Sequence, residues 1–448
     1  MDKKITVEEL LAKAKKPAQD AMELHPFYKG KVQILPKCIV RDFNDFAIWY
    51  TPGVAEPCKD IAKNPEKVFE HTNKANYVAV MSDGTRVLGL GDIGPLAGLP
   101  VMEGKALLFK YLGGVDAFPV MIDTKDPDEF IQAVKWAAPT FGGINLEDIS
   151  SPKCFYILDK LRKELDIPVW HDDQQGTAAI TLAGTINGLK IVGKKMNEVL
   201  ITVIGTGAAN VCMIRTLIKA GVPYKNIIAV DSKGILHSNR DDLTKIKAAN
   251  SYKYDIAIKS NGEGRIGDMK EALKDVDVCI AASKPGPGTI KKDWVSEMAN
   301  DAVMFAEANP IPEIWPWEAK EAGVRIFGTG RSDFPNQVNN SLGFPGIFRG
   351  TLDVMAKTIT DEMHIVAAYA IAEVAEKKGL HEDYIVPTMD DWVVFPHEAT
   401  EVGMKAIQQG LARLKPSRQE LYEKAEEIIK LAREQTQALM KHGFIKMP

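Results

Sequence analysis

The stretch Val199-Leu-Ile-Thr-Val-Ile-Gly-Thr-Gly-Ala-Ala-Asn210 decides the fold. Its first six residues predict a strand that is buried on both faces, as the strands of parallel sheets are. The Gly-x-Gly that follows predicts a tight turn into a helix whose N-terminus would bind the pyrophosphate of a dinucleotide. The stretch therefore predicts a nucleotide-binding α/β unit.

Apolar runs on both sides of this stretch extend the pattern. Later candidate strands, separated mostly by helical stretches, lie at 227–230, 276–280, 303–306 and 324–327. Earlier ones lie at 77–81 and 117–122, with helical stretches at 103–112 and 126–138. The alternation predicts an α/β protein with a doubly wound sheet. We expect three parts: an N-terminal α/β domain for substrate and metal over 1–190, a Rossmann-like NAD(P)-binding domain over 191–345, and a C-terminal helical segment over 346–448 that packs on the other two.

The glycine loop carries the expected cofactor contacts. Gly205 permits the tight turn, and Gly207 lets the backbone approach a phosphate group. The residues expected to line the cofactor here are Gly205, Thr206, Gly207, Ala208, Ala209 and Asn210. Asn210 departs from the usual pattern, because a Gly or Ala is common at this third position. A structural turn without a nucleotide is the plainer alternative.

Asp231 ends the next predicted strand and bears on the choice of cofactor. Its carboxylate would accept hydrogen bonds from the adenosine ribose hydroxyls, which favours NAD over NADP. Ser232 and Lys233 directly after it, and Arg240 further on, would instead accommodate a 2′-phosphate. The sequence leaves NAD and NADP open.

Composition excludes several classes of protein. The formal net charge of -4 gives no signature of nucleic-acid binding. The longest uncharged stretches, 174–189 and 199–214, are too short and too polar to span a membrane. Five widely spaced cysteines form no metal-binding or redox motif, and the N-terminal residues contain no apolar secretory stretch. We therefore expect a cytoplasmic protein that acts on small molecules.

Two acidic pairs follow predicted strands. They are Glu147-Asp148 and Asp172-Asp173, the second within HDDQQGTAA at 171–179. Adjacent like charges repel, and oxygen ligands of this kind suit Mg²⁺ or Mn²⁺. Either pair alone is more often a solvated loop, but ligands of open α/β sheets bind at strand ends. The two pairs together predict a divalent-cation site.

Other candidate site residues are polar side chains within Gly- and Pro-rich stretches. Lys105 begins an apolar helical run. Desolvated beside a cation, its pKa would fall toward neutrality and make it a usable base. The plainer alternative is an ordinary surface lysine. Arg86 would clamp a carboxylate, and the asparagines in Asn309-Pro310 and Asn339-Asn340 would orient a carboxylate or nicotinamide, or simply form turns.

Eight motifs in order resemble the malic enzyme family in its short prokaryotic-type form. They are YTPGVA, SDGTRVLGLGDIG, GKALLFK, LEDI, HDDQQGTAA, GTGAAN, EANP and NQVNNSLGFPG. The resemblance is dense over about 20–350 and looser beyond. It implies oxidative decarboxylation of (S)-malate to pyruvate and CO₂, with reduction of NAD or NADP and help from Mg²⁺ or Mn²⁺. By analogy it also implies a homodimer.

The resemblance assigns roles residue by residue. Tyr50 resembles the general acid that protonates the enol carbon, and Lys105 resembles the general base. The matches to the family's metal ligands are Glu147, Asp148 and Asp173. Asp172, grouped with the catalytic residues, resembles an acid that orients or tunes these neighbours. The matches on the substrate side are Arg86, Asn309 and Asn340, and Asn309 also borders the cofactor.

Rival functions remain at this stage. One is a metal-dependent oxaloacetate decarboxylase or malolactic enzyme whose nucleotide is not released. Another is a dehydrogenase that does not decarboxylate, and a third is a silent nucleotide-sensing subunit. The presence of Tyr50, Lys105 and all four acids argues against the silent subunit.

Overall fold

The computed structural model describes residues 7–448, with side chains from Lys16 onward. The first six residues lie outside the described residues. They are part of the N-terminal segment from which we expect no secretory signal. The chain begins with four helices: α1 (Val7–Tyr28), α2 (Asp45–Trp49), α3 (Ala55–Lys63) and α4 (Val68–His71). Among the helices of the described residues, none combines the length and apolar character that crossing a bilayer demands.

The first sheet has four parallel strands in the order β2-β1-β3-β4. Its strands are β1 (Tyr77–Ser82), β2 (Asp116–Met121), β3 (Gly143–Leu146) and β4 (Val169–His171). The helices between them are α5 (Gly94–Gly113), α6 (Pro127–Ala137) and α7 (Lys153–Glu164). The chain passes from β1 outward to β2 and then back across to β3, so this sheet has a switch point between β1 and β3.

A buried helix joins the two sheets. After β4 the backbone forms a π-helical turn, Asp172–Gly176, and continues directly into α8 (Thr177–Val192). Most of α8 is buried, as its small and uncharged residues predict. Glycine makes this packing close, because a Cβ at Gly188 would lie 3.1 Å from the side chain of Val303 in the second sheet. The helix therefore fixes one sheet against the other.

The second sheet has six strands in the order β10-β9-β8-β5-β6-β7, parallel except for β7. They are β5 (Ile201–Ile204), β6 (Ile227–Asp231), β7 (Gly234–Ile235), β8 (Val278–Ala281), β9 (Ala302–Ala306) and β10 (Val324–Thr329). The accompanying helices are α9 (Ala208–Lys219), α10 (Leu243–Ala249), α11 (Ser251–Lys259), α12 (Met269–Leu273), α13 (Lys292–Val295) and α14 (Pro316–Glu321). The order reverses between β5 and β8, which is the doubly wound arrangement and confirms the predicted fold class.

The last four helices pack on one another and on helices α5 and α8. They are α15 (Phe344–Asp353), α16 (Asp361–Lys378), α17 (Val394–Gln408) and α18 (Arg418–Lys441). Phe344 and Phe348 of α15 share a core with Phe109 of α5, at ring-centroid distances of 4.6 and 5.1 Å. Ser417 caps α18, accepting a hydrogen bond from the backbone N–H of Glu420.

Candidate active site

The carboxyl ends of β3 and β4 bring the two acidic pairs to one edge of the first sheet. Glu147 and Asp148 directly follow β3, and Asp172 and Asp173 directly follow β4, its neighbour. Carboxyl ends of parallel strands share one edge, and ligands of open α/β sheets bind outside that edge at a switch point. The acids thus lie beside the crevice between β1 and β3.

Three of these acids form a compact group of oxygen ligands. One carboxylate oxygen from each of Glu147, Asp148 and Asp173 lies within 4.8 Å of the other two. The backbone N–H of Asp148 donates to Asp173 Oδ2 at 2.8 Å, which fixes the two strand ends relative to each other. Oδ2 of Asp148 is buried and has no hydrogen-bond partner among the described residues. Such a group fits a hard divalent cation, which takes carboxylate oxygens as ligands.

Burial and mutual repulsion perturb these carboxyl groups. Burial raises the pKa of Asp148 to about 8, with a further contribution from the charge of Asp173. Burial also raises the pKa of Glu147 and of Asp173 above their ordinary values. Asp148 additionally adopts the left-handed backbone region at φ +53°, which is uncommon outside glycine and is found where surrounding structure holds it. A positive ion would relieve the repulsion.

Lys105 reaches the same group from α5. Its Nζ lies 2.5 Å from Asp172 Oδ2, 3.1 Å from Glu147 Oε1 and 4.3 Å from the centre of the Phe344 ring. Burial by itself would lower the pKa of Lys105, but attraction to Asp172 and Glu147 outweighs it and raises that pKa above its ordinary value. This differs from the fall toward neutrality expected beside a cation, because here the nearest charges are carboxylates.

Asp172 is fully buried behind this lysine. The indole N–H of Trp170 donates to Asp172 Oδ1 at 3.0 Å. A Cβ at Gly176 would lie only 2.1 Å from the same oxygen, so any larger residue at this position would displace the Asp172 carboxylate. The same Cβ position is 3.2 Å from the Cβ of Asn340, which places Asn340 beside the turn.

The loop that follows β1 links the acids to the second sheet. The backbone N–H of Arg86 donates to the carbonyl of Asp148 at 2.9 Å, and its exposed guanidinium lowers the pKa of Asp148 and of Asp173 against the effect of burial. Further along the loop, a Cβ at Gly89 would lie 2.6 Å from the carbonyl oxygen of Asn309. Arg86 thus borders the group of acids, and Asn309 lies against the same loop at Gly89.

Tyr50 differs from the buried acids and Lys105 because its side chain is exposed. It ends α2 with 71% of its surface exposed. Within the described chain, no hydrogen bond joins Tyr50 to the acids or to Lys105, and the hydrogen bonds of residues 41–54 stay within 39–58. The structure therefore leaves Tyr50 on an exposed segment.

The glycine loop has the geometry that a dinucleotide site requires. Gly205 has φ +100°, and a Cβ there would lie 2.7 Å from the carbonyl of Ala282. Gly207 is exposed at the N-cap of α9. Thr206, Ala208 and Ala209 are half-buried around it. Asn210 is buried and donates its amide N–H to the carbonyl of Ile204 at 2.8 Å, so its side chain ties α9 to β5.

Asp231 lies in a cluster of basic groups. Arg240 donates to its Oδ1 at 2.9 Å, and Lys253 Nζ lies 2.6 Å from its Oδ2. The backbone N–H of Lys233 also donates to Oδ1 at 2.8 Å. Burial alone would raise the pKa of Asp231, but the hydrogen bonds from Arg240 and Lys253 keep it below its ordinary value. The carboxylate is thus already paired, which the sequence did not predict.

Some residues at the site were missed from the sequence. Phe344 covers Lys105 and Trp170 binds Asp172, although neither belongs to a charged motif. Trp170 immediately precedes the quoted HDD and Phe344 lies within the quoted NQVNNSLGFPG, so both are marked by a motif, but the contact between Phe344 and Lys105 joins distant segments and has no local signal. Glu307, in the quoted EANP motif, is buried and was given no role.

Two family models cover most of the chain. The malic enzyme N-terminal domain matches residues 29–162, and the malic enzyme NAD binding domain matches residues 174–407. The first range contains the first three strands and Lys105, and the second contains Asp231 and the glycine loop.

Individual relatives agree with these models. The chain is 47% identical to the bifunctional malic/malolactic enzyme of Bacillus subtilis, over 92% of this chain and 98% of the relative. It is 49% identical to the NAD-dependent malic enzyme of Geobacillus stearothermophilus, over 86% of this chain and 78% of that one. The crystal structure of Entamoeba histolytica malic enzyme superposes with a TM-score of 0.96 at 48% identity, covering 100% of this chain and 93% of that one. The resemblance seen in the motifs is confirmed, and the chain belongs to the malic enzyme family.

Proposed function

We propose that this protein is an NAD(P)-dependent, decarboxylating malate dehydrogenase that converts (S)-malate into pyruvate and CO₂ with the help of a divalent cation. The observation that carries the proposal is the convergence of Glu147, Asp148 and Asp173 within 4.8 Å of one another, beside the buried ammonium of Lys105. A dinucleotide loop on the adjoining sheet supports the same chemistry.

Glu147, Asp148 and Asp173 would hold Mg²⁺ or Mn²⁺. Three features suit these residues to such a cation. Their ligand atoms are all carboxylate oxygens, and Oδ2 of Asp148 has no hydrogen-bond partner among the described residues. Burial also makes their uncompensated negative charge costly. Such a cation supplies a Lewis acid that polarises the substrate oxygens and stabilises the negative charge that develops on decarboxylation.

Lys105 would take the proton of the C2 hydroxyl while hydride leaves C2 for the nicotinamide. To act as a base, Lys105 must first give up its own proton. Asp172 Oδ2, 2.5 Å away and fully buried, is placed to receive it. Positive charge beside Glu147 and Asp173 would offset the attraction that now raises the pKa of Lys105. Asp172 would thus accept the proton that Lys105 gives up and return it after the reaction.

The substrate carboxylates would be bound from three sides. Arg86 projects from the loop after β1 with an exposed guanidinium, which suits bidentate pairing with the C1 carboxylate. Asn309 and Asn340 contribute amides from the second sheet and from the segment before α15, and Asn309 would also meet the cofactor. Tyr50 would deliver the proton to C3 of the enol.

For the nucleotide, we propose that the protein uses both NAD⁺ and NADP⁺. Asp231 retains a carboxylate that can accept from the ribose diol. Arg240, which also pairs with Asp242, and Lys253 offset its charge and would offer cations to a 2′-phosphate. The cofactor preference expected from Asp231 alone is therefore weakened by its neighbours.

We propose that the working form is a cytoplasmic homodimer. Residues 27–54 expose many large apolar side chains, including Phe43 at 88%, Ile34 at 78% and Tyr50 at 71%. Large exposed apolar surface on a single chain usually marks an interface, and a second copy that covers this segment would also bury Tyr50. Free cysteines, three of them buried, suit a reducing compartment.

The three-part division of the chain also stays a proposal: 1–190 for substrate and metal, 191–345 for the nucleotide, and 346–448 as a helical segment against them. The first sheet ends at His171, the second runs from Ile201 to Thr329, and α15 begins at Phe344, which supports these boundaries.

The activity is tested by mixing the protein with malate, Mn²⁺ and NAD⁺ or NADP⁺. We expect reduced cofactor, pyruvate and CO₂ in equal amounts. Lactate and CO₂ formed without net reduced cofactor would favour the malolactic alternative. Pyruvate and CO₂ formed from added oxaloacetate but not from malate would favour the oxaloacetate decarboxylase, and reduced cofactor without CO₂ would favour a simple dehydrogenase.

Lys105→Ala tests the base. Loss of proton abstraction should lower kcat by about 10²–10⁴-fold, measured as reduced cofactor formed from malate at saturating Mn²⁺. Lys110→Ala is the matched control, since Lys110 lies on the same helix, is half-exposed and pairs with Asp116. A kcat within about threefold of the wild type in Lys105→Ala would contradict the assignment.

Arg240→Ala tests the 2′-phosphate site. Removing one charge-assisted contact should lower kcat/KM for NADP⁺ by about 10–100-fold, and the value for NAD⁺ by less than about threefold. Lys245→Ala, an equal change of charge at an exposed position nearby, should leave both values unchanged. Equal losses for the two cofactors in Arg240→Ala would mean that the cluster around Asp231 only stabilises the fold.

Sedimentation equilibrium tests the dimer. We expect twice the mass of one chain, and Phe43→Lys with Ile34→Lys should shift the protein to monomers by placing charge in the buried contact. A wild-type protein that sediments as a monomer at micromolar concentration would refute the proposal.

A further inference from the structure

Glu307 occupies an unusual position at the carboxyl end of β9. It immediately follows the strand, is 9% exposed and faces the first turns of α8. The hydroxyl of Thr181 on α8 donates to Glu307 Oε1 at 2.5 Å. Oε2 is buried and has no hydrogen-bond partner among the described residues. A buried polar atom without a partner is rare in native proteins and calls for an explanation.

A second buried acid in the same segment shows the contrast. Glu313 accepts hydrogen bonds on Oε1 from the backbone N–H and the hydroxyl of Ser283, at 2.7 and 2.9 Å. Its Oε2 accepts from the backbone N–H of Ala308 at 3.2 Å. Glu313 therefore closes the loop after β9 by its own contacts. Glu307 makes no comparable set of bonds, so the loop geometry does not account for its carboxyl group.

The strand order shows which part of a dinucleotide would pass over Glu307. The pyrophosphate loop follows β5, and Asp231 at the end of β6 marks the adenosine side. The nicotinamide end must extend in the opposite direction, over β8 and β9. Because neighbouring strands are about 4.8 Å apart, the end of β9 lies ~10 Å from the end of β5. Glu307 stands there, and its partner Thr181 lies on α8, which continues from the turn that holds Asp172 and Asp173.

We propose that Glu307 binds the carboxamide group of the nicotinamide ring, with Oε2 as the acceptor of a hydrogen bond from the carboxamide NH₂. The proposal deepens the function proposed above, because it requires that the second sheet binds a nicotinamide dinucleotide. Among the side chains at the ends of β8 and β9, this carboxyl group combines burial with a free acceptor.

Both protonation states of Glu307 are compatible with this contact. Burial raises the pKa of Glu307 to about 8, in spite of the hydrogen bond from Thr181, so a neutral carboxyl group is accessible at physiological pH. An ionised carboxyl group, or a neutral one whose proton lies on Oε1 toward Thr181, leaves Oε2 free to accept one N–H of the amide. Gln at this position would keep an acceptor and a donor, whereas Leu would keep neither.

Calorimetric titration of the intact protein, without malate, tests this contact. The probes are NADH or NADPH, whichever binds more tightly, and its 3-acetylpyridine analogue, which has a methyl group in place of the NH₂. The wild-type protein should bind the natural cofactor about tenfold more tightly than the analogue. In Glu307→Leu this ratio should fall to about one, and Glu307→Gln should keep it.

The possible outcomes distinguish failure of the Glu307 contact from failure of the proposed function. A tenfold preference that persists in Glu307→Leu would overturn the role of Glu307, and so would a wild-type protein that binds both probes equally. Equal weakening of both probes by Glu307→Leu, with the ratio unchanged, would assign Glu307 a merely structural role and also overturn it. Failure of the wild-type protein to bind any of the natural cofactors would refute the dinucleotide site itself. If Glu307→Leu does not fold, Glu307→Met repeats the test with a flexible apolar side chain.

Discussion

Four carboxylates that share one crevice with a single buried ammonium are the constraint on which the account depends. Glu147, Asp148, Asp172 and Asp173 repel one another, and burial makes each of them costly to ionise. Lys105 offsets part of this charge through Asp172 and Glu147. The negative charge that Lys105 does not offset is the physical reason to place a divalent cation between Glu147, Asp148 and Asp173. The same cation would lower the pKa of Lys105 and so make it usable as a base.

The rest of the fold holds this crevice in place. The parallel strands β3 and β4 present both acidic pairs at one edge, and α8 continues from the second pair directly into the contact between the sheets. The C-terminal helices close the opposite side, where the Phe344 ring lies 4.3 Å from the ammonium of Lys105. Helices that read as packing elements in the sequence therefore also exclude water from the proposed base. Under the proposal above, Glu307, which directly follows β9, would add a contact at the nucleotide end of the same cleft.

Much of this arrangement could be predicted from local sequence patterns. Buried strands with turn signals indicate the doubly wound sheet, and acids that follow neighbouring parallel strands must meet at one edge, as Glu147 and Asp173 do. The π-helical turn Asp172–Gly176 was not predicted, because its geometry depends on packing against residues such as Asn340. Phe344, Lys253 and the orphaned oxygen of Glu307 were missed for the same reason: their significance comes from contacts between distant segments. The exposure of Tyr50 has no sequence signal, and its role stays a prediction.

Anomalous diffraction from crystals soaked in Mn²⁺ tests the central claim most directly. The account predicts one strong peak at coordination distance from oxygens of Glu147, Asp148 and Asp173, and its loss in Asp173→Asn crystals prepared in the same way. A wild-type map with no peak at these three carboxylates under saturating Mn²⁺ would contradict it.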